Sequence, residues 1–71
     1  MSYNGHESKP AWNVSLWIGN DEGLYRLAKD CIRRNKTRDE ATRELLGMLP
    51  AETPDGYAYS YTTVRSALRG L

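Results

Sequence analysis

Residues able to do chemistry are few in this chain, and their spacing leaves most of them without a chemical partner. Cys31 is the single thiol and His6 the single imidazole. A thiol becomes a nucleophile beside a base or a cation that lowers its pKa, and zinc is held by clustered Cys and His. His6 lies 25 positions away from Cys31, inside the polar, aperiodic stretch MSYNGHES. Cys31 itself falls in an apolar helical pattern, which predicts a small buried hydrophobe. A lone cysteine also excludes an internal disulfide framework. Two carboxylate pairs, Asp21-Glu22 and Asp39-Glu40, have the residue types of general acid–base chemistry. Each pair opens a predicted helix, where complementing the positive end of the dipole accounts for it. With no Gly-rich phosphate loop and no metal spacing, the sequence reads as non-enzymatic, with neither cofactor nor metal.

Other chemistry would come from cations and aromatic rings. The chain carries ten basic and nine acidic residues, net +1, but they fall in blocks. Residues 1–32 sum to −1, residues 33–38 (RRNKTR) to +4, residues 39–55 to −4 and residues 56–71 to +2. Arg33, Arg34, Lys36 and Arg38 of the basic run, with Arg65 and Arg69 near the end, are candidate phosphate contacts for a nucleic-acid module. Five Tyr and two Trp stand against no Phe. Tyr, Trp and Arg dominate the hot spots of protein interfaces, and a ring with a polar handle suits a half-buried surface. Two candidate protein-binding patches follow: Tyr57, Tyr59 and Tyr61, next to Arg65 and Arg69, and Asp21, Glu22 and Tyr25.

Helices must position these groups. Residues 1–9 read as a loose arm and residues 10–71 as one small helical domain. Over 10–20 two patterns compete. A helix groups Val14, Trp17 and Ile18, with Ser8 as N-cap and Pro10 in the first turn. A strand alternates Trp12, Val14, Leu16 and Ile18. The helix is preferred, because no hairpin turn or second strong strand follows. Gly19-Asn20, an αL-prone pair, would end it.

Residues 21–34 place Leu24, Leu27, Ala28, Cys31 and Ile32 on one face. Asn20 or Asp21 caps the start, Arg33-Arg34 complement the end, and Asn35 stops the helix. Thr37-x-x-Glu40 is a capping box for a helix over 37–49, which Pro50 ends. Pro54-Asp55-Gly56 is turn chemistry. An extended segment follows, in which Tyr57, Tyr59 and Tyr61 would all lie on one side. Ser60 or Thr62 caps a last helix whose stripe is Val64, Ala67, Leu68 and Leu71.

The expected fold is mainly α: a small three- to four-helix domain with one short extended tyrosine-rich segment. The expected interior is Trp12, Trp17, Leu24, Leu27, Ile32, Leu45, Leu49 and Leu68. Residues 37–49 and 62–71 could be read as a helix-turn-helix, but a connection of about a dozen residues far exceeds the ~3–4-residue turn of that motif. No apolar run approaches the ~20 residues of a membrane span. The expectation is a soluble protein of the cytoplasm.

The string AWNVSLWIGNDEGLY at 11–25 resembles a family of short phage- or prophage-encoded proteins marked by W-N-V-x-L-W-I/L-x-N-D-x-x-x-Y. The stretch from Thr53, T-P-D-G-Y-x-Y-S followed by V-R-x-A-L-R-G-L, is similar to what is expected at that family's C-terminal end. Residues 33–50 carry no such resemblance. The resemblance implies small size, no cofactor, and a viral accessory role, met by stoichiometric binding to a host protein complex or by regulating transcription. Inhibition of a host defence, as by an anti-CRISPR, is one concrete form. A DNA-binding regulator and a structural or homodimerising protein are the alternatives.

Overall fold

Each of the described helices opens on one capping side chain that the sequence places there. The computed structural model describes residues 8–71. Residues 1–7 of the expected arm, His6 among them, lie outside the described residues, whereas Ser8 and Lys9 already belong to the first helix and its cap. Four helices form among the described residues: α1 (Lys9–Asn20), α2 (Glu22–Arg34), α3 (Arg38–Met48) and α4 (Tyr61–Arg69). The strand pattern of residues 10–20 is thus overruled by the helix.

The Ser8 side chain accepts from the Ala11 amide, with Pro10 in the first turn, where its missing N–H costs nothing. Asp21 works in both directions. Its own amide donates to the Trp17 carbonyl, closing α1, and its carboxylate accepts from the Leu24 amide, opening α2. One extended residue therefore joins the two helices, and the left-handed stop expected at Gly19-Asn20 does not form.

Asn35 ends α2 and donates its side-chain amide to the Cys31 carbonyl. The Thr37/Glu40 capping box is complete. Leu49, in the extended conformation demanded of a residue before proline, closes α3. Ser60 caps α4 in a second reciprocal pair with Thr63.

α1 packs on α2 and α4, and α3 packs on the same two helices, so the four elements close a ring around one core. That core is built from small and β-branched residues. Val14, Ile18, Ala28, Cys31, Ala41, Leu45, Val64, Ala67 and Leu68 are buried, and Leu27, Ile32, Leu46, Leu49 and Leu71 pack against them. Of the expected interior, Leu45 and Leu68 are fully buried. Trp12, Trp17 and Leu24 are not, each being half-exposed. Small residues let the short helices approach closely, and large indoles then fit better at the rim than at the centre.

Residues 49–60 form a strap from α3 to α4. Its turn runs Thr53-Pro54-Asp55-Gly56, closed by the Gly56 amide donating to the Thr53 carbonyl at 2.9 Å, with Gly56 at φ +90°. A single antiparallel bridge pairs Glu52 with Ala58. The tyrosines of the strap do not share a side: Tyr59 enters the core, Tyr57 is half-buried and Tyr61 is exposed as the first residue of α4. The helix begins one residue earlier than expected, and its 3.6-residue period breaks the two-residue alternation of an extended segment.

Candidate functional site

The α1–α2 corner holds the first predicted patch together. Asp21, Glu22 and Tyr25 are all exposed. Their charges are partly spent locally: Asp21 caps α2, and Glu22 pairs with Arg26 one turn on. The Lys29 ammonium lies 5.5 Å from the centre of the Tyr25 ring, a cation–π contact on the outside of α2.

The second patch is split. Tyr59 is buried, and burial together with the nearby Asp21 carboxylate pushes its phenol pKa up. It contributes to the core, not to a surface. Tyr61 donates its hydroxyl to Asp39 Oδ1 at 2.8 Å, and Arg65 Nε donates to the same oxygen at 2.8 Å. The Arg65 and Tyr61 bonds hold the Asp39 carboxyl below the usual carboxylate range, and the bond to Asp39 raises the Tyr61 phenol against the smaller opposing charges of Arg43 and Arg65. Tyr61 and Arg65 are therefore brought together, as the sequence suggested, but through Asp39 on α3, which the sequence assigned only to complementing a helix dipole.

Three of the six basic candidates, Arg33, Arg34 and Arg65, are matched by carboxylates. Arg33 pairs with Asp30. Arg34 donates through both Nε and Nη2 to Glu44 Oε2, at 3.2 and 2.7 Å, while Asn35 donates to the other oxygen of the same carboxylate at 2.7 Å. These contacts keep Glu44 below, and Arg34 above, their ordinary ranges. Arg38 donates to the Leu68 carbonyl at 3.3 Å, satisfying an acceptor at the end of α4. Lys36 and Arg69 are exposed and make no ion pair with the described residues. The run RRNKTR is thus a helix end, a turn and a helix start in which Arg34 ties α2 to α3 and Arg38 ties α3 to α4.

Cys31 is fully buried, and desolvation with the Glu44 charge beside it raises its pKa, against the smaller opposing effect of Arg34. A thiol so placed is a poor nucleophile. Among the described residues no group of three His, Cys, Asp or Glu side chains comes together as a metal set.

A polar cluster that the sequence reading missed pins the strap to α1. The Thr53 hydroxyl donates to Asn13 Oδ1 at 2.8 Å, within the interior. The Asn13 side-chain amide and the Trp17 indole N–H both donate to Asp55 Oδ2, at 2.8 and 2.9 Å. Thr53 Oγ1 in turn accepts from the Asp55 and Tyr57 amides, which shapes the turn. Asn13 and Trp17 belong to the first recognised string and Thr53 and Asp55 to the second. The two strings meet across α1 and the strap as one clasp. The signal in the sequence was an Asn set between two Trp in an otherwise apolar run, but nothing there tells which distant residue it bonds.

A family model described as a family of unknown function, DUF7249, matches residues 1–67, including the stretch 33–50 where no resemblance was apparent. No curated protein and no solved structure matches the chain.

Proposed function

Since the chain belongs to that family of unknown function, we propose its role from its own surface: it is a small non-enzymatic accessory protein that works by stoichiometric binding to another protein. The observation that carries this reading is the fate of the arginines. Arg33, Arg34 and Arg65 each meet a carboxylate, and Arg38 a backbone carbonyl, whereas Leu16, Tyr25, Met48 and Tyr61 stay exposed. Neutralising DNA phosphates takes cations not already matched by acids, since affinity comes from displaced counterions. Exposed aromatic and aliphatic side chains suit a protein interface instead. The viral resemblance makes a host protein complex the partner class, and blocking of a host defence one form of the activity.

Lys36, Arg43 and Arg69, exposed and outside any ion pair with the described residues, keep a DNA-binding regulator as the second reading. The connection of residues 49–60 between α3 and α4 supports it poorly, being a pinned strap and not a tight turn.

Immobilised protein mixed with host lysate should retain a specific protein in near-equimolar amount. Anisotropy of a labelled random duplex should show weak binding that vanishes with added salt. Retention of nothing above background, together with tight and steeply salt-dependent duplex binding, reverses the order of the two readings.

A further inference from the structure

We propose that the seam between α3 and α4 is the docking surface of this protein and that its partner there is an acidic protein segment. The inference rests on the protein-binding reading and narrows it to one face and one chemistry. Charge is unevenly shared across the molecule. Arg38, Arg43, Arg65 and Arg69 against Asp39 and Glu40 give the seam +2 in a chain of net +1, which leaves −1 for everything else.

The start of α3 lies beside the end of α4, as the bonds from Arg38 to Leu68 and from Arg65 to Asp39 establish. Arg43 acts on the same Asp39 carboxylate and Tyr61 phenol through space. Arg69 follows Arg65 by four residues on α4, one helical turn. Tyr61, 37% exposed, stands among these cations.

The seam is pre-organised. Asp39 holds both the Tyr61 hydroxyl and the Arg65 guanidinium, and Leu68 holds Arg38, so a partner need not order these side chains on arrival. Arg43 and Arg69 are left to meet its carboxylates.

Asp39 also decides between anionic partners. A duplex carries one charge per ~1.7 Å of axis and cannot step over a fixed carboxylate in the middle of the surface. A peptide can, by setting an apolar side chain against Tyr61 and placing its acids to either side.

The test uses the full chain labelled with 15N and titrated with three probes. These are a synthetic helical peptide of Glu, Leu and Tyr, its counterpart with Lys in place of Glu, and a short random duplex. The acidic peptide should shift the amides of Arg43, Tyr61, Arg65 and Arg69 and leave those of the Asp21–Tyr25 corner unmoved. The Arg43→Gln/Arg69→Gln variant alters only exposed residues without ion-pair partners, so its fold should match the parent by circular dichroism. It should lose about tenfold in affinity, because it removes the cations facing the carboxylates. Shifts centred on the Asp21–Tyr25 corner, equal binding of the Lys peptide, unchanged affinity in the variant, or tighter seam binding by the duplex would each overturn the proposal.

The lysate experiment, run with parent and variant, separates the two levels of inference. A partner retained equally by both leaves the protein-binding reading standing and removes the seam. A partner retained by neither removes the protein-binding reading itself.

Discussion

Asn13 is 4% exposed and spends both ends of its amide on the strap, accepting from Thr53 and donating to Asp55. Asn13→Ala leaves the buried Thr53 hydroxyl without its acceptor, a penalty of about 1–3 kcal/mol that a urea melt should read. Thr53→Val should cost more than Asn13→Ala, because the Thr53 hydroxyl also accepts from the Asp55 and Tyr57 amides of the turn.

Asp55 predicts a pH dependence. The Asn13 amide and the Trp17 indole hold its carboxyl below the usual range. A carboxyl depressed in the folded state contributes stability above its unfolded pKa of about 3.9, and that contribution fades as pH falls through the folded value. Trp17 donates to this carboxylate, so its emission should change in acid over the same window. Asp55→Asn should bring the acid-form emission to neutral pH and flatten the acid transition. An acid transition unaltered by that substitution would detach Trp17 from Asp55.

At the scale of elements, much was legible because helix ends are local events. Ser8, Asp21, Asn35, Thr37 with Glu40, Pro50 and Ser60 mark boundaries through bonds to amides or carbonyls no more than four residues away, or through proline's missing donor. Thr37→Ala should accordingly cost about 1 kcal/mol, read as a lower urea midpoint with unchanged slope.

What was not legible depends on contacts across the chain. The burial of Tyr59 and the half-exposure of Trp12 and Trp17 follow from how four short helices meet. The clasp spans some forty positions. The site divided along the same line. Tyr61 and Arg65 were found because they are close in sequence, although Tyr61 was read as part of the extended segment, whereas Asp39, which joins them, stands on another helix.

The turn gives the contrasting case. At Gly56 an added methyl would meet no atom within 4 Å, yet φ is +90°. Gly56→Ala should therefore destabilise by roughly 1–2 kcal/mol through backbone strain alone. Gly47→Ala, in equally open space near the end of α3, should be neutral or gain a few tenths of a kcal/mol, since alanine is the better helix former.

The whole molecule measures 33 × 22 × 19 Å and has one core to which every helix contributes. Nothing in that arrangement isolates a subunit of structure. The strap, the only long connection among the described residues, sends Tyr59 into the same cluster as Val14 and Leu68 and is bonded to α1 through Thr53. Stability should accordingly be lost in one cooperative step, as in most small single domains.

Cys31 tests this from inside. Its side chain is fully buried, its thiol pKa is raised by desolvation, and it lies beside the α2–α3 ion pair, on a different helix from both tryptophans. A thiol reagent can reach it only when the core opens. Labelling in native buffer should thus be slow and should accelerate with urea. Its free energy of opening should agree with that from tryptophan emission, which watches the clasp. Asn13→Ala should then speed labelling of Cys31 by the factor its lost stability dictates, although the two residues sit on different helices. Were Trp17 emission to change well before Cys31 becomes reactive, the strap would be a separately opening unit. The clasp would then hold a movable segment in place instead of contributing to one cooperative core.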